Sequence, residues 1–325
     1  MGETVPSAIA ILSWIVALYE AWSIGANDET TAPVVSGRTL TINQAVVVGS
    51  IFGILGAVFL GSNVQKTMGT GFLIKPLTEG HCLVILLSSS IWLTVVSYLG
   101  LSVSTTHSMI GAFLGFAIVG SGLGDMNWGT VGITLVGWLV SMPLGFISTY
   151  FGTKAVQRLK ARSKKPEEIE HTCGRLLILS TFILQFSRWG NDVGNASGVM
   201  FEFFDPAVTR LICALAMCFG LLVLGRIVVG SIGVRLVTLT PSTALISQVA
   251  ASPLILAAAY LGIPLSGTHV MVSAIIGGGM ALKTKIDTGL VRKFAIAWTL
   301  SFIVPAVLAA LFSVVGSATG ILNFG

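Results

Sequence analysis

The stretch VSTTHSMIGAFLGFAIVG at residues 103–120 decides the fold, because a second copy, LSGTHVMVSAIIGGGMAL, occurs at residues 265–282. Six of the 18 aligned positions are identical. A second pair of matched motifs, Asn27-Asp28 and Asn191-Asp192, lies upstream at nearly the same spacing. Two kinds of motif that recur in the same order indicate a chain built from two related halves.

The sequence around these motifs is almost free of charge. Only 10% of the residues are charged and the mean hydropathy is +0.92, whereas soluble domains are about one quarter charged. Residues 80–124 and 236–282 contain no Asp, Glu, Lys or Arg. Because one bilayer crossing needs about 20 apolar residues, each of these windows is long enough for two. The composition predicts an all-α polytopic protein of the cell (inner) membrane, in contact with lipid.

Ten long apolar segments follow one another, five in each half. They cover residues 5–36, 42–61, 81–101, 105–121 and 127–152, and then 174–203, 207–229, 239–262, 267–282 and 290–318. The Asn-Asp motifs interrupt the first segment of each half. We predict a first repeat over 1–152, a basic cytoplasmic linker over 153–172 and a second repeat over 173–325. Since five crossings are an odd number, the halves are expected to be inverted repeats with discontinuous helices, as in many secondary transporters.

The basic residues set the predicted orientation. The densest run lies between two apolar segments and consists of Lys154, Arg158, Lys160, Arg162, Lys164 and Lys165. Cytoplasmic loops carry an excess of Lys and Arg, so we place this linker inside and the loop around Asp125 outside. The basic isoelectric point of 9.2 is explained by residues that mark the cytoplasmic side of a membrane protein. No nucleic acid is therefore expected as a partner.

The Asn-Asp motifs are predicted to hold a cation. A carboxylate inside an apolar segment is costly and marks an ion pathway, and neighbouring Gly and Asn residues favour local unwinding that exposes backbone carbonyls. Carboxylate, amide and hydroxyl oxygens suit hard cations. The candidate ligands are Asn27, Asp28 and Thr30 in the first half and Asn191, Asp192 and Asn195 in the second. The alternative is that both motifs form ordinary turns between short helices.

The Ser/Thr motifs are predicted to bind an anion. Ser and Thr are favoured helix N-caps, and a helix N-terminus offers free N–H groups and partial positive charge, which suits phosphate-like anions. Arg188 lies one turn before Asp192, and it either clamps the anion or pairs with that carboxylate. The candidate anion ligands are Ser104, Thr105, Thr106, Ser266, Gly267, Thr268 and Arg188. If the Ser and Thr residues only cap their helices, no anion site follows.

Together the two kinds of motif indicate coupled transport. Asp28 and Asp192 would repel a divalent anion, whereas cations held by these carboxylates would attract it. The anion would then bind well only with the cation present, which is a thermodynamic coupling. The sequence therefore predicts a secondary active transporter that works by alternating access around a midplane site.

At these motifs the chain resembles the inorganic phosphate transporter family. That family carries a Gly-Ala-Asn-Asp signature in each half, here GANDETTAP at 25–33 and GNDVGNASG at 190–198. The first departs from the commoner GANDVANA form, because Thr31 stands where Asn is usual, and the second has Trp189-Gly190 in place of Gly-Ala. The resemblance implies import of inorganic phosphate by symport with Na⁺ or H⁺, with Na⁺ favoured. It also implies a homodimer, no enzymatic activity and no cofactor beyond the coupling ion.

Other functions remain open. A sulfate or other oxyanion carrier would use the same scaffold, but a carboxylate can accept a hydrogen bond from monohydrogen phosphate and not from sulfate. An anion channel is a further alternative. An intramembrane enzyme is disfavoured, since the sequence contains no HExxH motif, no GxSxG motif and no spacing typical of a metal cluster.

Overall fold

The structure is a computed structural model that describes residues 8–320, and all regular elements within this range are helical. The first half contains α1 (Ala8–Ala26), α2 (Ala32–Ser36), α3 (Ile42–Leu60), α4 (Ser62–Thr70), α5 (Glu79–Tyr98), α6 (Thr105–Val119) and α7 (Trp128–Arg162). The second half contains α8 (Pro166–Ser197), α9 (Pro206–Gly220), α10 (Arg226–Gly230), α11 (Pro241–Leu261), α12 (Gly267–Leu282) and α13 (Thr288–Ala318). Wider π-helical turns at 221–225 and 231–236 flank α10, so that 206–236 is one continuous helical segment.

Seven of these helical segments are long and apolar enough to cross a membrane: α1, α3, α5, α7, the segment 206–236, α11 and α13. The predicted all-α polytopic fold is thereby confirmed. The other three of the ten predicted spans are not among these seven segments. The helices α6 and α12 have 15 and 16 residues, which is about 23 Å of helix against a hydrocarbon core of about 30 Å. The span predicted at 174–203 overlaps α8, which begins earlier with charged turns and ends at Ser197.

The predicted helix interruption is present in the first half only. The helix α1 ends at Ala26, because Asp28 Oδ1 accepts the backbone N–H of Thr30 at 2.8 Å in a local turn, and Pro33 lacks a donor at the start of α2. In the second half, α8 runs unbroken through Asn191-Asp192 to Ser197. There the expected break is wrong: Asp192 pairs with a residue four positions earlier, which is an arrangement that favours helix.

Residues 153–172, which form the predicted linker, are almost entirely helical. The helix α7 continues to Arg162 and α8 begins at Pro166. Lys160 pairs with Glu170 across the turn, and Glu170 also accepts the backbone N–H of Ser242 at 2.9 Å. These contacts fix the α7–α8 hairpin to the start of α11. Its cytoplasmic position stays a prediction.

Helix packing in one half has a counterpart in the other. The sequence offsets relate α1 to α8, α3 to α9, α5 to α11, α6 to α12, and α7 to α13. Accordingly α1 packs against α5 and α9, while α8 packs against α11 and α3. Likewise α6 packs against α13, and α12 against α7. Equivalent helices of the two halves thus make equivalent contacts, as expected for two structural repeats. The inverted orientation of the repeats stays a prediction.

Candidate functional site

Two asparagines position the segments that lead into α6 and α12. Asn27 donates to the carbonyl of Leu101 at 2.9 Å and accepts the backbone N–H of Val103 at 2.8 Å. Asn191 makes the same two bonds with the equivalent residues of the second half, at 2.9 and 3.0 Å. Each Asn-Asp motif therefore holds the Ser/Thr motif of its own half. The role of the two asparagines as cation ligands stays a prediction.

The helices α6 and α12 begin inside the protein. Ser104 Oγ accepts the backbone N–H of His107 at 3.1 Å, and Ser266 Oγ accepts that of His269 at 3.4 Å. Both serines are buried. The serine hydroxyls thus act as N-caps, and the positive ends of two helices point into the protein interior.

The threonine hydroxyls next to these caps differ in their partners. Thr106 Oγ1 is buried and has no hydrogen-bond partner among residues 8–320. Thr105 Oγ1 accepts from Asn195 Nδ2 at 3.2 Å, and Thr268 Oγ1 accepts from Arg188 Nη2 at 2.9 Å. Thr106 is therefore the residue with a hydroxyl free to bind a ligand, while Thr268 already orients an arginine.

Asp28 is saturated by donors from the protein. Its Oδ1 accepts from the backbone N–H and the hydroxyl of Thr30, and its Oδ2 accepts from Gln185 Nε2 at 2.7 Å and Trp189 Nε1 at 2.6 Å. The Trp189 ring lies against Gly53 of α3, where a Cβ atom would come within 2.3 Å of it. A cation bound to Asp28 would compete with four donors in this conformation.

Arg188 is the centre of a buried ion-pair network. Its Nε donates to Asp192 Oδ2 at 2.5 Å, and its Nη1 lies 3.5 Å from Glu29 Oε1. None of the three charged side chains is more than 3% exposed. Of the two roles considered for Arg188, pairing with Asp192 is present here. The remaining carboxylate oxygen, Asp192 Oδ1, has no hydrogen-bond partner within the described residues.

Glu29 is the residue of this site that sequence reasoning missed. Its carboxylate is buried, and its Oε2 accepts from Ser102 Oγ at 2.5 Å and from Thr268 Oγ1 at 3.2 Å. A signal was available, because an acidic residue inside an apolar segment indicates function. Comparing the halves concealed it, since the residue aligned with Glu29 at the offset of 164 is Val193.

Gly267 brings the Arg188 guanidinium against the first turn of α12. A Cβ atom at position 267 would lie 2.0 Å from Arg188 Nη1 and 2.7 Å from its Cδ. The equivalent residue of the first half, Thr105, has such a Cβ atom. A cation beside a helix N-terminus is unfavourable on its own, because both are positive. The combination is stable only with negative charge nearby, and Glu29 and Asp192 supply it.

The four motifs meet through contacts that cross between the halves. Asn195 of the second half reaches Thr105 of the first. Thr268 of the second half lies 3.1 Å from the carbonyl oxygen of Val103 and 3.2 Å from Glu29, both in the first. The predicted anion and cation residues of the two halves thus form one buried cluster.

The repeated histidines lie beside this cluster. The ring centroids of His107 and His269 are 4.5 Å apart. The His107 ring also packs against Trp138, and the His269 ring against Trp298, with centroid distances of 3.7 and 4.3 Å. This aromatic row agrees with a packing role. Their Nε2 atoms have no hydrogen-bond partner in the described part of the chain.

The oxygen atoms suited to a cation come from mixed side chains. Residues 8–320 contain no group of three or more His, Cys, Asp or Glu side chains arranged to hold a metal ion. A hard cation here would need amide or hydroxyl oxygens in addition to a carboxylate. In the second half, Asp192 Oδ1 and Asn195 Oδ1 are both buried and without a hydrogen-bond partner among the described residues.

Comparison with known proteins supports the family resemblance that these motifs indicate. A sequence model of the phosphate transporter family matches residues 24–309, a range that contains both pairs of motifs. A putative phosphate permease of Pyrococcus abyssi is 26% identical over 93% of this chain and 96% of its own length. A probable low-affinity inorganic phosphate transporter of Rhizobium meliloti is 26% identical over 91% of this chain and 93% of its own length.

A solved structure gives the same result at the level of the fold. The chain described as "The sodium-dependent phosphate transporter" superposes with a TM-score of 0.85 and 25% identity, over 97% of this chain and all of the other. These matches confirm the family resemblance, a multi-pass location in the cell membrane and a transport rather than an enzymatic role. This chain is a member of the phosphate transporter family.

Proposed function

We propose that this protein imports inorganic phosphate by symport with a cation, with the substrate bound in the buried cluster between the two halves. The observation that carries the proposal is that the paired motifs meet across the halves, where Glu29 of the first half contacts Arg188 and Thr268 of the second. A guanidinium, a free threonine hydroxyl at Thr106 and two helix N-termini form a donor set that suits a tetrahedral oxyanion. Since both halves contribute to the set, movement of one half against the other changes access to it, as alternating access requires.

Na⁺ is our proposed coupling ion. The similar solved structure carries sodium dependence in its name. In this chain, Asp192 Oδ1 and Asn195 Oδ1 are buried oxygens without hydrogen-bond partners among residues 8–320, which favours a cation in the second half. The four donors on Asp28 make the first half the weaker candidate in this conformation.

Phosphate is favoured over sulfate by an acceptor in the cluster. Asp192 Oδ1 is buried and accepts no hydrogen bond within the described residues, and its lone pairs allow it to bind a cation and also accept one hydrogen bond. Monohydrogen phosphate can donate its proton to such an oxygen, whereas sulfate has no proton to donate. A desolvated carboxylate facing sulfate would only repel it, so this acceptor acts against the wrong anion.

Two further parts of the proposal concern the assembly. We propose that the halves have opposite orientation in the membrane, as the odd number of predicted spans requires, and that two copies of the chain form a homodimer, as the family resemblance implies. Both belong to the same proposal of a membrane carrier, and neither changes the composition of the cluster around Arg188.

Uptake into proteoliposomes tests the function. We expect labelled phosphate to enter vesicles when a Na⁺ gradient is imposed, and excess unlabelled phosphate to inhibit uptake far more than excess sulfate. Arg188→Gln is the matched variant, because it removes the cation of the donor set and keeps a side chain that forms hydrogen bonds. Equal inhibition by sulfate would favour a general oxyanion carrier, and uptake driven only by a H⁺ gradient would refute Na⁺ as the coupling ion.

A further inference from the structure

Glu29 and Arg188 are charged residues without a charged counterpart in the other half. Glu29 belongs to the first half and Arg188 to the second. At the offset of 164, Val193 aligns with Glu29 and Ile24 aligns with Arg188. The two unmatched charges nevertheless meet, with 3.5 Å between Glu29 Oε1 and Arg188 Nη1. A pair of opposite charges, one from each half, at the place where the halves touch points to a joint role.

The surroundings of the Glu29 carboxylate are those of a bound anion. It accepts hydrogen bonds from two hydroxyl groups, those of Ser102 and Thr268, and faces the guanidinium of Arg188. The same guanidinium lies on the first turn of α12, where Gly267 leaves space for it. An oxyanion that bound at the end of α12 would need these same donors.

The contact between the two charges is incomplete. Although Nη1 of Arg188 and Oε1 of Glu29 are buried, neither has a hydrogen-bond partner among residues 8–320, and 3.5 Å is too long for a good bond between them. A buried donor without a partner is costly, and more so when charged. A free oxyanion is not tethered to the backbone, so it can move close enough to Nη1 to complete this bond.

We propose that Glu29 is a tethered anion that occupies the donors of the phosphate site when no phosphate is bound. Phosphate binds by displacing the carboxylate from Arg188, and the carboxylate returns after phosphate leaves. Asp192 pairs with Nε of Arg188, and Glu29 supplies the negative charge that faces the buried Nη1. Burial of that side of the guanidinium without a nearby anion would be costly. Glu29 therefore balances this charge while the empty carrier reorients, and it sets the affinity for phosphate through competition. This inference rests on the proposed function, since it assigns a role within the same site.

The consequence differs between two modes of transport. Net uptake requires the empty carrier to reorient, whereas exchange of external for internal phosphate does not. Glu29→Gln keeps the shape and hydrogen bonding of the side chain but removes its charge. We expect this variant to bind phosphate about tenfold more tightly or better, to lose most net uptake and to retain exchange.

Two further variants complete the experiment. Glu29→Asp shortens the side chain and withdraws the charge from Arg188, so its affinity for phosphate should lie between those of the wild type and Glu29→Gln. Glu20→Gln is the matched control, because Glu20 is also buried in the first half but bonds to Ser89 instead of Arg188. Its affinity for phosphate should equal that of the wild type.

The measurements are the binding of labelled phosphate to purified protein at fixed pH and Na⁺, followed by net uptake and exchange in proteoliposomes. A folded Glu29→Gln protein with unchanged or weaker phosphate binding would overturn the inference, and so would equal tightening in Glu20→Gln. If Glu29→Gln does not fold, an unchanged affinity in Glu29→Asp has the same consequence. Failure of the wild type to bind phosphate would instead refute the proposed function.

Discussion

Asn27 and Asn191 make the same pair of backbone hydrogen bonds, although α1 ends just before Asn27 and α8 continues past Asn191. The two halves thus share the hydrogen bonds that position the segments leading into α6 and α12. The backbone conformation of the Asn-Asp motif itself differs between the halves. Each asparagine thus connects its Asn-Asp motif to the segment that precedes the Ser/Thr motif of the same half.

Removing this link should destabilise the protein. Asn27→Ala and Asn191→Ala each leave a backbone N–H and a carbonyl unpaired in the interior, at about 1–3 kcal/mol for each unsatisfied group. We expect both variants to melt at clearly lower temperature in detergent. Asn63→Ala is the control, because its hydrogen bond to the Tyr260 carbonyl is exposed. Equal melting temperatures for all three variants would contradict this role.

Gly267→Ala should weaken phosphate binding without removing any polar group. The added methyl group would lie 2.0 Å from Arg188 Nη1, so the guanidinium must leave the end of α12. Loss of a hydrogen bond to a charged group corresponds to about 1.5–3 kcal/mol, or roughly ten- to hundredfold in affinity. The control is Gly132→Ala on α7, where the methyl group would meet nothing within 4 Å. The two variants should differ in phosphate affinity, and similar affinities would argue against an anion site at Gly267.

The two equivalent threonines should respond differently to valine. Thr106 Oγ1 has no hydrogen-bond partner among residues 8–320, so Thr106→Val should leave the melting temperature unchanged and weaken phosphate binding about ten- to hundredfold. Thr268→Val should weaken binding as well, and it should also lower the melting temperature, because it removes the acceptor for Arg188. If Thr106→Val binds phosphate normally, the shared anion site is not at α6.

The two aspartates should each be required for cation coupling. We expect Asp28→Asn and Asp192→Asn each to remove the cation dependence of phosphate uptake, since an amide does not neutralise a cation. Both variants should also lower the melting temperature, because Asp28→Asn turns an acceptor into a donor that faces other donors and Asp192→Asn removes the charge that pairs with the buried Arg188. Uptake with different Na⁺ concentrations and thermal melting on the same preparations separate the effects. Uptake with unchanged cation dependence in both variants would place the coupling site elsewhere.

Much of this organisation was accessible from the sequence. Hydropathy predicted the helices because a bilayer demands long apolar segments, and α3, for example, begins at the predicted residue 42. Repetition identified the Ser/Thr motifs because Ser104 and Ser266 have the same task at the same helix position. The predicted inversion of the halves and the assigned ligand roles remain predictions.

Part of what the sequence did not predict has a local cause and part depends on contacts between distant residues. The break after Ala26 was predicted, but the continuous helix through Asn191 was not: Asp192 pairs with Arg188 one turn earlier in α8, whereas Asp28 accepts the backbone N–H of Thr30 in a turn. Glu29 escaped notice because its partners are Ser102, Thr268 and Arg188, the last two more than 150 positions away. The short helix α4 was missed because its residues are polar.

Accumulation of phosphate against its own gradient tests the central claim most directly. Proteoliposomes are loaded with unlabelled phosphate at the external concentration, a Na⁺ gradient is imposed at constant pH, and the internal phosphate concentration is followed over time. A cation-coupled carrier predicts that internal phosphate rises above the external concentration and falls back when an ionophore dissipates the Na⁺ gradient. Phosphate that only equilibrates across the membrane, whether or not Na⁺ is present, would contradict the account and indicate a channel.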